Sequence, residues 1–139
     1  IYIETQNPTF VAAYQTAIAN WNATGAFTFV VTTDPSQADI IATEMNDGNT
    51  QAAGEANSTT NLLTNYYSSI TVRLNSYYLL NEQYGYDMDR IVHTAEHELG
   101  HAIGLDHKDN QTSVMESADS NHGIQQADID AVVQLYTTY

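Results

Sequence analysis

Between residues 97 and 107 the chain places three imidazoles and one carboxylate, in the run His97-Glu98-Leu99-Gly100-His101-Ala102-Ile103-Gly104-Leu105-Asp106-His107. Residues four apart on an α-helix differ by about 40° in azimuth and roughly 6 Å in rise, so His97 and His101 can reach one metal ion. Glu98 lies about 100° round from His97. That is too far for the same ligand shell and near enough to meet a water held there. A helix alone cannot offer a third ligand. Gly104 solves this, because glycine can take φ > 0, end the helix and turn the chain back so that His107 closes the set. Three neutral imidazoles leave the fourth position of a tetrahedral ion open, which is the catalytic zinc pattern and not the structural one.

The chain has no cysteine, so thiolate ligands, thiol catalysis and disulfides are excluded. Ligand softness and geometry then point to one zinc. The expected chemistry is hydrolysis: the ion acidifies a water and polarises a carbonyl. Glu98 takes the proton and passes it to the leaving amine. Because each imidazole must be neutral to bind, metal affinity is expected to fall below about pH 6. The HExxH core arises by chance in many chains; the glycine and third histidine make the pattern specific.

Several elements must position these groups. Ile1–Glu4 reads as a short strand. Asn7-Pro8 is a helix start, with Asn as N-cap and Pro at the first helical position. Phe10, Tyr14, Ile18 and Trp21 follow at helical spacing and are assigned to the core. Phe27–Val31, Asp39–Ala42 and Ile70–Leu74 read as strands, and Gly54–Asn57 as a short edge strand. Asn46–Gly54 and Ser58–Ser69 read as polar loops, and Ser76–Tyr86 carries no decisive pattern. Asp87 or Asp89 can cap a long helix running to Ala102 or Ile103, with Val92, Ala95, Leu99 and Ile103 facing the core. A loop to about Gly123 precedes a last helix over Gln125–Tyr136, with Ile129, Val132, Val133 and Tyr136 on one face. The order predicts an α+β fold, one twisted mixed sheet of about five strands with three helices, in a single domain over residues 1–139.

Seventeen acids against three bases give a formal net charge of −14, which repels nucleic acid and anionic membranes. No apolar run approaches the ~18 residues of a membrane span. The Asn/Thr/Ser/Gln/Tyr-rich surface is of an extracellular kind. Because the chain opens on Ile1 and not on methionine, removal of a preceding segment is expected.

The run from His97 to His107 resembles the metzincin signature HExxHxxGxxH. Met115 stands eight residues past His107, a separation similar to that of the matrixin (matrix-metalloprotease-like) branch. The resemblance implies that Met115 lies in a tight turn beneath the zinc and is not a ligand. The C-terminal run from Ile124 to Tyr136 is similar to the final matrixin helix. That match makes Asp128 a buried carboxylate bonded to the methionine-turn backbone. The preceding family aspartate, which can pair with a mature N-terminal ammonium, is Ala127 here. The Met-Tyr-Pro wall of the family's specificity pocket is Met115-Glu116-Ser117, so Ala118–His122 is the alternative wall. Residues 43–75 hold no histidine, so the second, structural zinc of animal matrixins is not expected. The tyrosine ligand of astacins and serralysins is replaced by Ser117. The resemblance implies a minimal, secreted, microbial metalloendopeptidase. It would act as a monomer on an extended polypeptide, without nucleic-acid or membrane partners.

Other residues carry competing readings. His93 could face the cleft, but a packed or solvated histidine is the plainer account. His122 stands near the presumed pocket wall. Asp106 becomes a ligand only if the turn slips. Asn46-Asp47-Gly48-Asn49 offers oxygens for Ca2+, and an Asx/Gly turn explains the same residues. Gly54-Glu55-Ala56-Asn57 is either a substrate-pairing edge strand or an unpaired one. Two alternatives to the peptidase are a catalytically inert zinc-holding module and a site in which Glu116 or Asp119 replaces His107.

Overall fold

A computed structural model describes residues 1–60, 67–117 and 121–136. Its elements are β1 (Tyr2–Ile3), α1 (Pro8–Ala23), β2 (Ile40–Met45), β3 (Gly54–Thr60), β4 (Tyr67–Asn75), α2 (Ser76–Leu79), α3 (Met88–Ala102) and α4 (Gln126–Tyr136). The sheet runs in the order β1-β2-β4-β3. β1 and β4 both pair with β2 in parallel, and β3 lies antiparallel to β4 at the edge opposite β1 among the described residues. One mixed sheet with three long helices is the α+β layout expected from the sequence.

Each helix starts where its capping chemistry begins. Asn7 accepts from the amides of Thr9 and Phe10, with Pro8 in the first turn. Asp87, not Asp89, caps α3 by accepting from Arg90 N at 2.9 Å. At α4 the roles follow a capping box: Asp128 reaches back to accept from Gln125 N at 2.9 Å. α3 packs on α1, β3 and β4. Phe10, Tyr14, Trp21, Val72, Leu74 and Leu99 are buried between these layers. Trp21 Nε1 donates to the carbonyl of Glu96 at 3.0 Å, which ties α1 to α3 at the level of the histidines.

Two sequence expectations need correction. The described residues form four strands, not five, because Phe27–Val31 belongs to no strand. It bonds to Ile1, the residue before β1, which donates to Val30 O at 2.9 Å and accepts from Thr32 N at 2.9 Å. Val30 and Val31 are exposed, so β-branched composition alone did not secure a ladder. Ser58–Ser69 is not a loop throughout: Ser58–Thr60 and Tyr67–Ser69 belong to β3 and β4. The strands run through a polar sequence because β3 is the edge of the sheet. Within Ser76–Tyr86 the chain makes α2 and a 3-10 turn over Glu82–Tyr84.

Candidate metal centre

The second half of α3 carries His97, Glu98 and His101. The helix ends at Ala102, and Gly104 takes φ 110°, a conformation open to glycine and costly to other residues. Leu105 N bonds back to Gly100 O at 2.9 Å, and the reversal carries His107 towards the helix. The ring centroids then stand 4.7 Å apart for His97 and His101, 5.3 Å for His97 and His107, and 4.9 Å for His101 and His107. One nitrogen from each ring lies within 4.8 Å of the others, a group that could hold a metal ion.

The other ring nitrogens test whether zinc fits. His97 Nδ1 faces Val114 O at 2.8 Å and His101 Nδ1 faces Leu105 O at 2.8 Å. A carbonyl can only accept, so each Nδ1 carries the proton and each Nε2 keeps its lone pair for the ion. Carbonyl-anchored imidazoles of this kind are the usual outer support of a metal-ligating histidine. Burial, with His101 and His107 beside it, pushes His97 down to about 4 against the pull of the Val114 carbonyl. Burial likewise lowers His101. Both rings are thus neutral at pH 7, the form that binds metal. The donor set fits zinc.

Met115 is buried beneath this group, its sulfur against Gly100. Its carbonyl accepts from Lys108 N at 2.8 Å, joining its turn to the His107 segment. Asp128 is buried and holds the turn from below. It accepts from the Ser113 hydroxyl, and from Val114 N at 2.9 Å. Val114 therefore links Asp128 on its amide side to His97 on its carbonyl side.

Glu98 is buried to 3% exposure, and its Oε1 lies 3.8 Å from His97 Nε2. It lines a cleft of about 400 Å3 together with Gly54, Ala56, His101 and His107. The edge strand β3 forms one side of that cleft.

The remaining candidates fall elsewhere. His93 lines a separate polar pocket with Glu96, Asn20 and Gly123. Glu116 Oε1 is held by Ser113 N at 3.0 Å and by His122 Nδ1 at 2.8 Å, away from the histidine group. Asp106 is exposed beside the cleft. Asp47 closes an Asx turn by accepting from Asn49 N at 2.8 Å. Of the expected wall Ala118–His122, residues 118–120 lie outside the described residues, as does Asp119 as a substitute ligand.

Four groups have no place in the sequence-based expectations. The Val114 and Leu105 carbonyls have no side-chain signal to betray them. Asn75 has one: it precedes α2, where Asn is a favoured cap, and its Oδ1 accepts from Tyr77 N at 3.1 Å. Glu96 is buried, with Oε2 accepting from Asn20 Nδ2 at 2.8 Å. Its Oε1 has no hydrogen-bond partner among the described residues, and burial raises its pKa, with Asn20 and His93 opposing.

Among the described residues no helix is long and apolar enough to cross a membrane. No curated protein matches the sequence. The family model described as Matrixin matches residues 3–137. With that match over nearly the whole length and a histidine group able to hold a metal, the chain belongs to the matrixin family and is a metallopeptidase-type domain.

Proposed function

We propose that this chain is a secreted, single-domain zinc endopeptidase that cleaves extended polypeptides as a monomer. The observation that carries the reading is the convergent imidazole trio beside a buried carboxylate at the floor of an open cleft. His97, His101 and His107 would hold one zinc ion. The chemistry such an ion supplies when bound is acidification of a water and polarisation of a carbonyl.

The protein's own residues do the rest. The Val114 and Leu105 carbonyls fix the tautomers of His97 and His101. Glu98 takes the proton of the attacking water and delivers it to the departing amine. Its burial keeps bulk water from competing for that proton. β3 is the outermost strand of the sheet among the described residues, and an extended peptide can add along it as a further strand. The acidic cleft side, with Glu55 and Asp106 at its edge, disfavours polyanions.

The test is Glu98→Gln. Zinc content should stay at one per chain while peptide turnover falls by roughly 10²–10⁴. A variant that cleaves as fast as the parent removes Glu98 from the mechanism. A zinc-loaded parent that cleaves nothing in a broad peptide library points instead to an inert zinc-holding module.

A further inference from the structure

The edge strand touches the active-site helix at one point that has no side chain. A Cβ placed on Gly54 would lie 3.0 Å from Glu98 Cγ, 3.4 Å from Glu98 Cδ and 3.0 Å from the Arg73 carbonyl oxygen. The neighbouring backbone has little room to yield. Arg73 sits in β4, paired on both sides. The segment leading into Gly54 is pinned by Asn75, which is fully buried. Asn75 Nδ2 donates to Asp47 O at 2.9 Å and to Ala52 O at 3.0 Å, and its Oδ1 accepts from Asp47 N at 3.1 Å. Asn75 N also bonds Ala53 O at 2.8 Å. On the other side, α3 is fixed by the Trp21 bond and by the buried Leu99. Of the atoms at this contact, the Arg73 oxygen belongs to the backbone of a strand paired on both sides, and Cγ and Cδ belong to a side chain that can change rotamer.

Resting on the peptidase reading above, we propose that Gly54 is a positioning residue for Glu98. The missing side chain at the first position of β3 sets where the carboxylate rests beside the histidine group. Adding one methyl drives Glu98 off that position. Proton transfer is steep in distance, and a misplacement of about 1 Å can cost on the order of 10²-fold in rate. Asn75 acts one step further back, by holding the loop that presents Gly54.

The experiment has two arms. In the first, Gly54→Ala is compared with the parent, both zinc-loaded. kcat should fall roughly 10–100-fold with KM within about threefold and zinc at one per chain. A raised KM at unchanged kcat overturns the proposal, since Gly54 would then act on the peptide lying along β3. In the second arm, the parent, Gly54→Ala, Glu98→Ala and the double variant are melted without metal. Gly54→Ala should lower Tm by roughly 5 °C in the parent background and much less once Glu98 is truncated. Equal losses in both backgrounds, or failure of both Gly54→Ala chains to fold, assign the clash to the Arg73 carbonyl and overturn the proposal. This arm needs no turnover. A parent without peptidase activity therefore sinks the functional reading separately, while the melting cycle still judges the Gly54–Glu98 contact.

Discussion

The two sides of the cleft are built differently. On the histidine side, support runs through buried, hydrogen-bonded groups. Asp128 bonds the turn at Ser113 and Val114, Val114 bonds His97, and the reversal at Gly104 brings the Leu105 carbonyl to His101. On the other side, where the peptide is proposed to lie, stands the edge strand β3, whose Glu55 forms a half-exposed pair with Arg73 of β4. On the peptidase reading proposed above, chemistry that depends on tenths of an ångström belongs to the rigid side, which the edge strand reaches at Gly54. Recognition that must admit varied polypeptides then belongs to the rest of the edge strand.

The sharpest test of that contrast lies among the three proposed ligands themselves. His97 is buried and carbonyl-anchored, whereas His107 is exposed. Removing a ligand should cost more than the roughly 10–100-fold typical of an outer-shell change. His97→Ala should lower zinc affinity most, His101→Ala next and His107→Ala least, as read by competition with a chromophoric chelator. Equal losses at all three would mean that anchoring adds nothing. Asp128→Ala should come next. It strips the acceptor from three donors, two of them backbone amides, at a cost of roughly 3 kcal/mol or more. Zinc affinity should drop about 10–100-fold through Val114 and His97. Denaturant unfolding and metal competition on the same sample check both halves.

Protons probe the rigid side without mutation. His97 titrates at about 4 in the folded chain, against 6.5 for an unperturbed histidine. Between those values the unfolded chain binds the extra proton, so metal-free stability is full above pH 6.5 and is lost as the pH falls towards 4. The loss is on the order of 3 kcal/mol. Melting the chelated protein across this window should show it, and His97→Leu should flatten the curve. A parent as stable at pH 4 as at pH 7 would contradict the burial argument.

The same contrast explains what could be read from the sequence. The proposed ligands, base and turn glycine fall within eleven consecutive residues, where helical spacing places His97, Glu98 and His101 and the reversal at Gly104 returns His107. Asp128 was legible only through a family resemblance, because its partners are fifteen residues or fewer away across a turn without periodicity. Phe27–Val31 has strand composition, but a ladder needs a paired strand, and among the described residues this segment forms none. Ser58–Thr60 has loop composition and still forms a strand, since β4 supplies the pairing. Gly54 could be named as the start of an edge strand, but not as a neighbour of Glu98. That contact joins residues forty-four positions apart (54 and 98), and no local pattern encodes it.

The smallest effect is expected on the peptide side, at Glu55. Its Oε1 lies 3.1 Å from Arg73 Nη1, with the side chains 39% and 33% exposed. At that exposure water and salt screen the pair, which is worth about 0–1 kcal/mol. Glu55→Gln keeps an acceptor for Arg73 and Asn57, so Tm should move by no more than about 3 °C and zinc affinity not at all. What should change is the ionic-strength dependence of kcat/KM for a cationic peptide. One acidic charge fewer at the cleft weakens the long-range attraction, and salt then suppresses cleavage less steeply. A Glu55→Gln chain that loses zinc or several kcal/mol would show that the edge strand is tied into the metal side as tightly as Asp128 is. The division between a rigid catalytic side and an adaptable recognition side would then fail at the residue where it predicts the least.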